Sequence, residues 1–248
     1  MNARLILSAA ILLCSCATPH ATGTKLTVAA AANLTDVFAG VGREFQMKTG
    51  IEVVFSYGST AQLATQIENG APFDLFAAAD TAHVDSLVSA GKLTGASRAI
   101  YALGQLALWI PDAESGVREL KDLAGPGVKF VAMAQPELAP YGAASVEVLK
   151  GAGLWDAVQP KLVYGTSISM AKQLAASGSA TAAFTAYSLV LHDKGTVLKI
   201  DPKLYQPIEQ ALGIVAASAH ISEAKQFRTF LLGPEGRTIL SDSGYLLP

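Results

Sequence analysis

A chain of 248 residues with 51% hydrophobic and 15% charged residues can bury one large core or two modest ones, and that composition excludes disorder. Its formal net charge of −2 comes from 18 basic and 20 acidic residues scattered along the chain, so the basic footprint of a nucleic-acid binder is missing.

The first 23 residues read as a secretory leader: Arg4 precedes an apolar run from Leu5 to Leu13, and small and polar residues follow. The run is much shorter than the roughly 20 residues that span a bilayer. Both cysteines, Cys14 and Cys16, fall in this leader, so the mature body is expected to hold no disulfide. Leu13-Cys14-Ser15-Cys16 resembles a lipoprotein box that would lipidate Cys16; Ser15-Cys16-Ala17 instead suits ordinary signal-peptidase cleavage. Both routes place the protein outside the cytoplasm.

Lys25 to Ala31 reads as a buried strand. Leu34, Val37, Phe38, Val41 and Phe45 then recur at helical spacing until Thr49-Gly50. A second unit runs from the β-branched stretch Ile51 to Ser56, through a polar turn Tyr57 to Ala61, into a helical stripe that stops at Asn69-Gly70. Phe73 to Ala77 and a helix from about Thr81 to Ala90 form a third. Alternation of this kind implies a parallel sheet covered on both faces, with ligands at the carboxyl ends of its strands.

From Arg98 to Trp109 the pattern is extended and mostly apolar, and it reads as one strand crossing into a second lobe. That lobe would hold strands at 128–134, 161–164 and 181–185, and helices at 142–152 and 169–176. Ala211 to Ala217 reads as the return strand, and helices at 223–232 and 235–241 close the chain. The expected fold is α/β, with two doubly wound lobes joined by two crossover segments: residues 24–102 plus 214–248 in lobe I, and 103–213 in lobe II.

Of the four histidines, His20 falls in the leader, and none of His83, His192 and His220 has a His, Cys or carboxylate at metal-ligand spacing, so no metal site is expected. Ser169-Met170-Ala171-Lys172 matches the Ser-x-x-Lys pattern of a serine hydrolase, a short pattern that also suits a solvated helix face. No phosphate-binding loop or dinucleotide fingerprint is present, and no cofactor is expected.

Four places put polar groups at a strand end just before a helix: Ala32-Asn33, Ser59-Thr60, Pro140-Tyr141-Gly142 and Ser167-Ile168-Ser169. The first N–H groups of each helix lack intrahelical partners and carry partial positive charge, which lets them hold an anion without Lys or Arg. Each also has a plain reading. Asn33 with Asp36 makes a capping-box-like pair, Ser59 and Thr60 are good caps, Tyr141 suits a surface aromatic and Ile168 suits the core.

The stretches AAANLTDVF, YGSTAQLATQIENGAPFDLFAAAD, YALGQLALW, PELAPYGAAS, LLGPEGRTIL and GYLLP resemble the periplasmic molybdate-binding proteins, the solute receptors of molybdate and tungstate ABC importers, over about Lys25 to Pro248. The resemblance implies a type II periplasmic binding protein that works as a monomer. It would hold a tetrahedral oxyanion in its cleft and dock on a membrane permease. The site residues it implies are Asn33 with Ala32, Thr60 with Ser59, and Tyr141 and Ile168 through backbone N–H. Many members carry a tyrosine where this chain has Ala186, which leaves Tyr187 as an uncertain further ligand. The segments Ala102-Leu103-Gly104 and Pro207 to Gly213 would join the lobes.

Overall fold

The computed structural model describes residues 25–248. The expected leader, with Cys14 and Cys16, lies outside the described residues. Among them, no helix is long and apolar enough to cross a membrane.

Two five-stranded sheets form the two lobes. The first is built from β1 (Lys25–Ala31), β2 (Glu52–Gly58), β3 (Leu75–Ala77), β4 (Ala99–Gly104) and β10 (Ile208–Ile214), in the order β2-β1-β3-β10-β4. The second contains β5 (Leu106–Ile110), β6 (Val131–Ala134), β7 (Leu162–Gly165), β8 (Ala182–Ala186) and β9 (Thr196–Lys199), in the order β7-β6-β8-β5-β9.

Strand register sets up the cleft. β1 and β2 run parallel from Lys25 opposite Glu52 to Ala31 opposite Gly58, so Ala32-Asn33 and Ser59-Thr60 leave the first sheet side by side. The second lobe repeats the device: β6 and β7 run parallel and end with Ala134 opposite Gly165. The helices that follow are α1 (Thr35–Thr49), α2 (Thr60–Glu68), α4 (Pro140–Gly151) and α6 (Ile168–Ala176); α3 (Ala82–Ser89) and the single turn α5 (Trp155–Val158) fill the faces. α7 (Ile221–Leu232) and α8 (Pro234–Asp242) pack together near the end of the chain.

α1 forms where the spacing places it. Val37, Phe38, Val41 and Phe45 are buried along one stripe, and Gly50 ends the helix at φ 74°, a left-handed conformation cheap only for glycine. Phe45 meets Phe227 of α7 edge-on at 5.3 Å between ring centroids, and Phe38 meets the same ring at 6.1 Å. These contacts hold α1 against the C-terminal helices, and through it the start of the first cleft segment.

Several expectations are corrected. The stretch from Arg98 to Trp109 is two strands in different sheets, β4 and β5, with only Gln105 between them. The return strand is β10 at Ile208–Ile214, paired antiparallel with β3 and β4. The second crossing therefore precedes it, within 200–207, and residues 208–213 belong to the first sheet rather than to lobe II. β9, absent from the sequence reading, pairs antiparallel with β5, which is itself antiparallel to β8. Each sheet is thus mixed, with the strand that enters it from the other lobe, β5 or β10, antiparallel to its neighbours.

Candidate functional site

The four helix starts expected from sequence are drawn together between the lobes. Ser169 of α6 donates through Oγ to the carbonyl of Ala32 at 2.9 Å, and the Ala61 N–H of α2 donates to the Leu138 carbonyl, just before α4, at 3.2 Å. Ser188 Oγ approaches the Asn33 carbonyl at 3.3 Å. These bonds join first-lobe segments to second-lobe segments, so the two lobes stand closed on each other.

Asn33 does not cap a helix. Residues Ala32–Leu34 form one 3-10 turn, Leu34 occupies the N-cap of α1, and no side-chain cap bond is made there. Instead the amide turns inward. Its Nδ2 donates to Gln210 Oε1 and to the Tyr245 hydroxyl, both at 2.9 Å, while its Oδ1 is buried with no partner among the described residues. The expected pairing with Asp36 fails because buried polar partners outcompete a local cap.

Ser59 sits at the N-cap of α2, is buried, and makes no capping bond; its Oγ also lacks a partner among the described residues. Thr60 Oγ1 accepts from the Ala79 N–H at 3.1 Å, which ties α2 to the end of β3. Buried polar atoms without partners are rare in folded proteins, because each forfeits its hydration. Four such side-chain atoms occur among the described residues, on Asn33, Ser59, Ser115 and Thr185, and the first two stand beside neighbouring strand ends, within reach of one polar ligand.

Tyr141 is not a surface aromatic. Pro140 opens α4 at a position where its missing N–H costs nothing, and Tyr141 follows with its ring fully buried. Its hydroxyl lies 2.9 Å from Gln210 Nε2, which donates to it. Two glycines permit this placement. A Cβ on Gly104 would lie 2.2 Å from the Tyr141 hydroxyl, and one on Gly142 would lie 2.3 Å from the Ala134 carbonyl. Ile168 is buried at the first position of α6, whose cap is Ser167: its Oγ accepts from the Met170 N–H at 3.2 Å.

A set of residues that the sequence reading missed ties these starts together. Gln210, fully buried in β10, bridges Asn33 to Tyr141, and the Tyr101 hydroxyl reaches both Gln210 Oε1 and the Ala78 carbonyl at 2.9 Å. Tyr245 donates to the Asn33 carbonyl at 2.8 Å and accepts from Ser188 Oγ. The signal for Gln210 is an amide at the head of the apolar run ALGI, and a return strand that begins at Ala211 leaves it out. Tyr187 stands apart. Lys199 Nζ lies 3.9 Å from its ring centroid and Gly244 packs against its edge, and its neighbour Ser188 enters the network instead.

The cluster is neutral. Burial pushes the Tyr101 and Tyr141 hydroxyls well above the usual tyrosine range, and burial likewise raises Tyr245, so all three remain protonated donors at any physiological pH. Ser169 and Lys172 do not form a nucleophile and base. Ser169 is spent on Ala32, and Lys172 pairs with Asp193 at 2.8 Å and donates to the Leu189 carbonyl.

A family model for bacterial extracellular solute-binding proteins matches residues 26–246. The chain belongs to that family. It is 37% identical over 240 residues to the molybdate-binding protein ModA of Rhodobacter capsulatus, covering 96% of this chain and 94% of that one. The ModA of Azotobacter vinelandii is 35% identical over 248 residues, with 98% and 96% covered. The solved periplasmic molybdate-binding protein of Azotobacter vinelandii superposes with a TM-score of 0.87 at 33% identity, covering 90% of this chain and 99% of that one. The two-lobed α/β architecture is accordingly that of a type II periplasmic binding protein.

Proposed function

We propose that the protein captures molybdate or tungstate outside the cytoplasm and hands it to the permease of an ABC importer. The observation that carries this reading is the pair of buried, unpartnered polar atoms on Asn33 and Ser59, set among four helix starts with no cation in the cluster. A tetrahedral dianion is an acceptor on every oxygen, and helix-start N–H groups and hydroxyls are donors. The similarity to two molybdate-binding proteins over nearly the whole chain supports the same ligand class.

The ligands in this reading are Asn33 with the Ala32 backbone beside it, Thr60 with Ser59, and the backbone N–H groups of Tyr141 and Ile168. Lobe I consists of the first sheet and its helices, lobe II of the second, and the crossings at Gly104–Gln105 and 200–207 act as hinges. Closure removes the dianion from water, and the Ser169 and Ser188 bonds to the Ala32 and Asn33 carbonyls latch the lobes. Selection against sulfate comes from the size of the cage, since both dianions offer the same acceptors. The receptor works as a monomer and performs no chemistry on its ligand. Isothermal titration with molybdate, tungstate and sulfate tests the reading: heat with the first two is expected, and silence with both overturns it.

A further inference from the structure

The buried amides of Asn33 and Gln210 admit two hydrogen-bond arrangements, because exchanging N for O in both leaves every heavy-atom distance unchanged. In the first, Asn33 Nδ2 donates to Gln210 and Tyr245, and Gln210 Nε2 donates to Tyr141. The Asn33 Oδ1 then has no donor, and the Tyr141 hydroxyl proton has no acceptor in the network. A bare carbonyl oxygen would face an acceptor-only dianion.

In the second, Gln210 Nε2 donates to Asn33 Oδ1 and to the Tyr101 oxygen, each across 2.9 Å, and Tyr141 donates to Gln210 Oε1. Tyr101 gives its proton to the Ala78 carbonyl. The Tyr245 proton lies between the Asn33 carbonyl and Oδ1, at 2.8 and 2.9 Å. One group is left over, the Asn33 NH2, and it occupies the unpartnered position as a pair of donors. An oxyanion completes this arrangement and opposes the other.

We propose that Gln210 is a positioning residue for ligand capture: its own amide, oriented by Tyr101 and Tyr141, turns the Asn33 NH2 toward the oxyanion. The inference rests on oxyanion capture at this site. Gln210 touches no ligand. It acts from the far side of Asn33, and Gly104 leaves its amide the room it occupies, since a Cβ there would lie 2.6 Å from the amide atom that faces Tyr141.

Two variants and one spectrum test it. Gln210→Met removes the donor without adding charge, and molybdate affinity should fall about ten- to a hundredfold at every pH, the range of one charge-assisted hydrogen bond. Gln210→Glu should lose at least as much at about pH 9 and recover as the pH falls toward about 6, because a protonated carboxyl restores both a donor to Asn33 and an acceptor for Tyr141. The titratable groups facing this position are Tyr101, Tyr141 and Tyr245, with Asp80 and Asp36 acting on them from a distance; the hydroxyls stay protonated throughout that range.

Wild-type affinity in both variants, or no recovery of Gln210→Glu beyond Gln210→Met, overturns the proposal. In the wild-type protein, nuclear Overhauser contacts from the Gln210 NH2 should favour the Tyr101 ring over the Tyr141 ring, and the reverse preference also overturns it. That spectrum reads the orientation whether or not either anion binds, whereas wild-type protein that binds neither anion overturns the capture reading itself.

Discussion

Two serines occupy the same position on two helices and do opposite things. Ser167 at the N-cap of α6 is half-buried and accepts from the Met170 N–H, whereas Ser59 at the N-cap of α2 is buried and leaves its Oγ unpartnered. Residue type and helix position are identical, so the difference lies in surroundings. The Ser59 end lies beside Ala32-Asn33 because Ala31 and Gly58 are paired across parallel strands. A hydroxyl withheld from its cap in a buried place is worth more to a ligand than to the helix.

The comparison breaks most completely if the support behind the cleft is removed. Gly104→Ala drives a methyl into the Tyr141 hydroxyl and Gln210 at once, and overpacking of this kind costs about 1–3 kcal/mol. Denaturant unfolding should show that loss, and titration should show the largest fall in molybdate affinity of any change considered. Ser59→Ala separates binding from stability. It deletes an unpartnered buried oxygen, so the unfolding free energy should hold or rise while affinity falls by about 1.5–3 kcal/mol, the range for a hydrogen bond to a charged group. Equal affinity in Ser59→Ala and wild type would remove Ser59 from the site.

Ser167→Ala is the mirror test. Loss of the cap should lower stability by about 1 kcal/mol, read from the denaturation midpoint, with molybdate affinity unchanged. The smallest effect belongs to a third helix start. Asp80 accepts from the His83 N–H and pairs with its ring at 2.7 Å, and that hydrogen bond raises the His83 pKa. A raised folded pKa means the pair stabilises fully below the ordinary histidine value and loses its contribution as the pH rises through the folded one. His83→Gln should therefore flatten a shallow decline in stability across neutral pH. The half-buried imidazole keeps that decline small.

The helix starts were legible because strand-end polar residues leave a local signature, and so was the alternation that makes each lobe. Their contents were less so. Asn33 with Asp36 reads as a cap, and only the fold shows the amide spent on Gln210 and Tyr245, residues 177 and 212 positions away. The pair Ser59-Thr60 was found together, but which hydroxyl stays free depended on the Ala79 N–H reaching Thr60. The crossings are hidden in the sequence for a related reason. β4 and β5 form one apolar run, and nothing in residue type says that Gln105 divides two sheets.

The sequence by itself determined the export leader as an expectation, the strand and helix periodicities, the lack of metal spacing and the four polar helix starts. Each follows from neighbours along the chain. Tertiary structure decided strand order, the mixed direction of both sheets, the closure of lobe on lobe, and the neutral network of Gln210, Tyr101, Tyr141 and Tyr245. These depend on which distant groups must share a buried space with too few partners, and hydrogen-bond satisfaction there is a property of the assembled core, not of any segment.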